Sequence, residues 1–202
     1  MSNDRDIRII KTKRAIREAV LELLMSTNVS CITVRDVADA AYIDRRTFQA
    51  HYRSVGDVID EIVDMAAQEV LSIVDAGDKT SWRGISAMLS EISRLSQDSQ
   101  STFGKSLHTS VRRDVQARLS AALAERIVKR IAAGSETELG DKKYLTYRRT
   151  YLADYVANGL VGLCMRWICG GRDMSEEEIS TLAFDLFRDG LARIKAQALP
   201  LA

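Results

Sequence analysis

The chain has 202 residues, a formal net charge of +1, 46% hydrophobic residues and 28% charged ones, a balance that supports a core and excludes global disorder. Its one proline is Pro200, so no internal proline breaks a helix, and the scarcity of turn residues points to an all-α fold rather than a β-rich one. No apolar run approaches a membrane span, and the opening MSNDRDIRIIKTKR is too charged for a signal peptide, so a cytoplasmic protein is expected, whose three cysteines form no disulfide framework.

Charge is unevenly spread. Residues 1–54 hold ten Lys/Arg against seven Asp/Glu, leaving 19 against 21 for the remainder. A basic head on a slightly acidic body suits an anionic partner for the head without proving one.

The first predicted helix runs from about Lys11 to Ser26, with Ile16, Ala19, Val20, Leu23 and Leu24 in one apolar stripe. Lys11, Lys13, Arg14 and Arg17 crowd its expected start, where cations oppose the helix dipole. They suggest a bound phosphate, against the bland alternative of solvated charges. Thr33-Val34-Arg35-Asp36 is a capping-box start for a helix of about two turns carrying Val34, Val37, Ala38 and Ala41. After Ala41-Tyr42-Ile43, Asp44 can cap a second short helix, Arg45 to Tyr52. Phe48 and Tyr52 turn inward there, and Arg45, Arg46 and Gln49 outward. Ser54-Val55-Gly56-Asp57 then opens a long helix with Val58, Ile59, Ile62, Val63, Ala66 and Val70. Two short helices about a tight turn, between two longer ones, form a helix-turn-helix pattern.

Further on, Trp82–Leu95 reads as a helix with Ile85, Met88, Leu89 and Ile92 inward, and Ser110–Ala133 as another. Gly134 to Asp141 reads as a loop. A long helix is expected over Lys142–Ile168, with Gly159 and Gly162 small enough for a close helix approach, and Gly170-Gly171 ends it. Ser175 to Glu178 is a capping box for a final helix presenting Ile179, Leu182, Ala183, Leu186, Phe187 and Ile194.

The order TKRAIREAVLELL…CITVRDVADAAYIDRRTFQAHYRSVGDVIDEI resembles the N-terminal domain of the TetR family over about residues 10–62. The resemblance implies an all-α protein with a three-helix helix-turn-helix domain over 1–54 and a larger helical sensing and dimerisation domain over 55–202. It also implies a dimeric regulator, taken here as a repressor, bound to a palindromic double-stranded operator. Site roles carry over position by position. Thr33 caps its helix beside a phosphate. Arg45 and Arg46 begin the base-reading helix, where a guanidinium can pair with guanine. Thr47 and His51 stand where the family touches the DNA backbone; for His51 a structural hydrogen bond is the rival reading. Phe48 and Tyr52 pack the helix in place. Three positions depart from the family: Tyr42 stands where glycine is usual, Gln49 replaces a tyrosine, and Val55 replaces a lysine. Gln49 loses a phosphate contact but offers an amide suited to adenine.

The last two helices resemble the paired helices with which family members dimerise, implying an interface of Gly159, Leu163, Trp167, Leu182, Leu186 and Phe187. YLADYVANGLVGLCMRWICGGRDMSEEEIS is similar to the branch that includes an activator of dihydroxyacetone-kinase operons. That similarity implies a small-molecule or protein effector. Met88, Phe103, Leu107, Tyr147 and Tyr151 are candidate pocket residues, with ordinary core as the alternative. No cofactor or metal is expected. Neither a P-loop, GxSxG, HExxH nor dinucleotide fingerprint occurs, and there are two histidines, so an enzyme is disfavoured. Cys164 and Cys169 lie about 140° apart on a regular helix, poor co-ligands, and are read as packing thiols. The competing reading is a coactivator-dependent activator, or a member with degraded DNA binding that acts through protein partners.

Overall fold

The computed structural model describes residues 2–77, 81–133 and 142–196. Its elements among these residues are all helical: α1 (Ser2–Ser26), α2 (Val34–Ala40), α3 (Arg45–His51), α4 (Val55–Ala76), α5 (Trp82–Gln97), α6 (Thr102–Ser106), α7 (Arg112–Ala133), α8 (Lys142–Cys169) and α9 (Glu176–Ala196), with a 3-10 turn at Val29–Cys31. The predicted loop at 134–141 lies outside the described residues.

Internal contacts divide the described chain into two compact units. One contains the residues up to Glu69 with Ser96–Val115; the other contains Val70–Leu95 with the described residues from Gln116 onward. In the first, Ile16, Val20, Val37, Phe48, Val58 and Ile62 are fully buried, so α1, α2, α3 and α4 contribute to one core. In the second, Ala124 and Ile127 of α7 meet Ala153, Val156 and Ala157 of α8, and Phe187 of α9 packs against them. Small residues bring α8 and α9 close: a Cβ on Gly190 would stand 2.7 Å from Val156 Cγ2.

Local capping explains where the helices begin. The Asp36 N–H donates to Thr33 Oγ1 (3.3 Å), while the Asp36 carboxylate accepts from the Thr33 N–H (2.9 Å). Reciprocal pairs of this kind also join Ser54 with Asp57 and Ser175 with Glu178. Each satisfies N–H groups that the first helical turn leaves without partners.

Two elements depart from the sequence reading. α1 begins at Ser2, nine residues before Lys11, with no glycine or proline to interrupt it. Its cations therefore lie within the helix, and the dipole argument for a phosphate there fails. α6 escaped the sequence pattern because five residues are too few to show a period. It starts where Ser101 Oγ accepts from the Gly104 N–H (2.7 Å) and the Glu69 carboxylate, from α4, accepts from the N–H groups of Thr102 (3.0 Å) and Phe103 (2.9 Å).

Candidate nucleic-acid interface

α2 and α3 are each seven residues long, too short to be stable alone. Their position depends on caps and a few buried side chains. Phe48 is the buried residue of α3; its ring lies 5.9 Å from that of Tyr52, also buried, just beyond the helix end. Asp44 caps α3 through the Thr47 N–H (2.7 Å) and also accepts from the Thr47 hydroxyl (3.1 Å).

With Phe48 inward, α3 turns Arg45, Arg46 and Gln49 to solvent. None of the three forms a side-chain hydrogen bond or ion pair with the described residues. Two guanidiniums and an amide with unspent donors, at one end of a capped helix, can pair with base edges or phosphates. Thr33 is exposed, and its hydroxyl donates to Asp36 (2.7 Å). Thr47 and His51 are half-buried. Gln49 and His51 share a groove of about 360 Å³ with Lys13, Arg53, Asp57 and Glu61.

The turn before α3 shows how Tyr42 is accommodated. Tyr42 has φ 54°, in the left-handed region that favours glycine. The Ile43 N–H donates to the Ala38 carbonyl (3.0 Å) and the Tyr42 N–H to the Asp39 carbonyl (3.3 Å), the paired bonds of a Schellman closure of α2. The geometry that glycine commonly supplies is thus retained with tyrosine in it.

Electrostatics set the edges of this face. The Asp36 carboxyl is held below its ordinary range by the Thr33 hydroxyl and N–H. The Asp44 carboxyl is lowered first by the Thr47 N–H, and that of Asp57 first by the Arg53 N–H. These acids are bound to backbone donors and remain charged as caps. Lys13 and Arg17, read as possible phosphate ligands, instead both pair with Glu61 of α4, at 3.0 and 2.8 Å. Lys13 Nζ also lies 4.9 Å over the Tyr52 ring. Burial raises the Glu61 pKa, but the Lys13 hydrogen bond and the charges of Lys13 and Arg17 outweigh it and leave it lowered. The Lys13 ammonium is correspondingly raised, chiefly by its Glu61 hydrogen bond. Beside this knot, Asp57, Asp60, Glu61 and Asp64 line a groove of about 580 Å³ on α4. The carboxylates of Asp57, Asp60 and Asp64 give this part of α4 a field opposite in sign to that of Arg45 and Arg46 on α3.

The other predicted positions fall as follows. Met88 is buried in the second unit, packed so closely on Gly77 that a Cβ there would collide with its side chain. Phe103 and Leu107 are buried in the first unit, whereas Tyr147 and Tyr151 are exposed on α8. Of the expected interface residues, Gly159, Leu182 and Leu186 are exposed, Leu163 and Phe187 are half-buried, and Trp167 is buried. Trp167 Nε1–H donates to the Met174 carbonyl (2.8 Å), so it anchors the α8–α9 turn within its own chain. Tyr155 was not foreseen, yet it is 79% exposed and follows Tyr147 and Tyr151 at four-residue steps along α8. That spacing was visible in the sequence. Cys164 is half-buried in α8, and the pKa of its thiol is pushed up to about 12 by burial. Cys169 is exposed, because it terminates α8 instead of packing within it. Among the described residues no group of three His, Cys, Asp or Glu is placed to hold a metal ion, and no helix is long and apolar enough to cross a membrane.

The TetR-type family model described as transcriptional regulator C-terminal region matches residues 85–189, just over half of the chain. No curated protein matches significantly in sequence. Among solved structures, a TetR transcriptional regulator from Streptococcus agalactiae 2603V is similar with a TM-score of 0.58 at 21% identity, over 96% of this chain and 99% of that one. A TetR-family regulator from Rhodococcus sp. gives 0.53 at 20% identity, over 89% and 98%. These likenesses concern the fold. The dihydroxyacetone kinase operon activator DhaS gives 0.49 at 18% identity, over 92% and 97%, a level that selects no branch.

Proposed function

Because the chain belongs to the TetR family of transcriptional regulators, which are not enzymes, we propose that it binds double-stranded DNA as a homodimer and represses transcription until an effector releases it. The observation that carries this reading is the outward row of Arg45, Arg46 and Gln49 on a capped, Phe48-anchored α3. Residues 1–54 are the reading head and 55–202 the sensing and dimerising body, at work in the cytoplasm. A seven-residue helix reads few base pairs, so two heads related by a dyad are needed for useful specificity, and the operator is palindromic. Dimerisation is supported by exposed Tyr151 and Tyr155, four residues apart on α8, and Leu182 and Leu186, four residues apart on α9, pairs that share one face of each helix. An effector, small molecule or protein, acts by binding the DNA-competent and DNA-incompetent states unequally.

Selection of bound duplexes from a random DNA pool tests the proposal. Enrichment of one palindrome is expected. Recovery of no enriched sequence at low salt without effector refutes it.

A further inference from the structure

Tyr42 is the feature that neither packing nor capping accounts for. The Schellman bonds explain its backbone, since they require a left-handed residue after α2. They do not explain a tyrosine. Glycine satisfies that geometry without steric cost and asparagine nearly so, whereas a bulky side chain at positive φ is an outlier. Burial gives no compensation, because Tyr42 is 95% exposed. Its hydroxyl and ring make no hydrogen bond or ring contact with the described residues. A strained, solvent-facing aromatic that returns nothing to its own fold directs attention to an external partner.

Position identifies that partner. Tyr42 precedes Arg45 by three residues, so its Cα lies within about 11 Å of the Arg45 Cα along the chain. A helix-turn-helix inserts the start of its second helix into a major groove about 12 Å wide. With Arg45 and Arg46 at the groove, the adjoining turn lies near its edge, within a tyrosine's length of the strand that walls it. The phenol donates one hydrogen bond, suited to a phosphate oxygen, and its ring can cover deoxyribose. We propose that Tyr42 contacts the DNA sugar–phosphate backbone beside the groove entered by α3. This rests on the DNA-reading role proposed above. The contact carries no net charge, so it adds affinity without releasing counterions.

The test measures the full-length protein and its Tyr42→Asn and Tyr42→Phe variants by fluorescence anisotropy on the selected palindrome and a random duplex, across salt concentrations, with thermal melting alongside. Asparagine tolerates the left-handed region, so Tyr42→Asn should melt at or above the parent temperature while binding both duplexes about tenfold more weakly or worse, the low end for one hydrogen bond to a charged acceptor. Tyr42→Phe, which keeps the ring, should lose most of that factor. The salt slope should match that of the parent in both. If both variants bind within twofold of the parent, Tyr42 is not a backbone contact. Loss on the palindrome alone would make it a base reader and overturn the proposal. Failure of the parent itself to bind any duplex at low salt would instead remove the DNA-reading role, and this proposal with it.

Discussion

Phe48→Ala tests whether α3 is held in place by one buried ring. Phe48 is fully buried, and α3 has no other buried residue between its ends. A seven-residue helix spans only about 10 Å and has no stability of its own. Removing a buried phenylalanine costs about 3–5 kcal/mol through lost transfer energy and the cavity left behind. The middle of that range corresponds to about a thousandfold in the local opening equilibrium. The loss should fall on the head: amides of residues 45–52 should lose hydrogen-exchange protection, while those of α8 and α9 keep theirs. Operator binding should fall by at least a hundredfold, with overall helicity by circular dichroism close to that of the parent. Unchanged protection over 45–52, or operator binding within tenfold, would show that α3 is positioned by something other than Phe48.

Three further outcomes are expected. Arg46→Ala should weaken palindrome binding more than random-duplex binding, as a base contact does; equal losses would reduce Arg46 to a phosphate ligand. Leu182→Glu with Leu186→Glu should yield a monomer by light scattering and abolish palindrome binding, since buried charge at an apolar interface is strongly disfavoured; a dimer of unchanged mass would relocate the interface. Acid should weaken the N-terminal caps of α2, α3 and α4. The Asp36, Asp44 and Asp57 carboxyls are lowered in the fold by backbone and hydroxyl donors, so their stabilisation is complete above the unfolded value near 4 and is lost as pH falls through the lower folded values. Because asparagine caps as well as aspartate, Asp44→Asn should reduce that acid dependence in urea titrations without costing stability at neutral pH. An acid response identical to the parent would show that the Asp44 charge does not matter.

Much of the head was legible because its determinants are local. A hydroxyl with an acid three residues later gives a helix start, and Thr33–Asp36 and Ser54–Asp57 form the expected reciprocal bonds. The inward placement of Phe48 and Tyr52 follows from helical period alone. What escaped the sequence depends on partners distant along the chain. Lys13 and Arg17 read as free cations because Glu61 lies more than forty positions away. Trp167 was expected at a dimer interface, because helical phase does not reveal that its indole N–H closes the α8–α9 turn. The apolar groups on α8 and α9 could be located, but helical period alone does not say what covers them.

The carboxylate of Glu69 at the start of α6 has a kinetic implication. A five-residue helix whose first amides are held from a residue 33 positions earlier cannot nucleate on local interactions alone. Closing that stretch of chain costs entropy before any of its bonds form. α6 should therefore assemble late, after α4 has brought Glu69 into place, and the Thr102 and Phe103 amides should become protected in refolding only once α4 has formed.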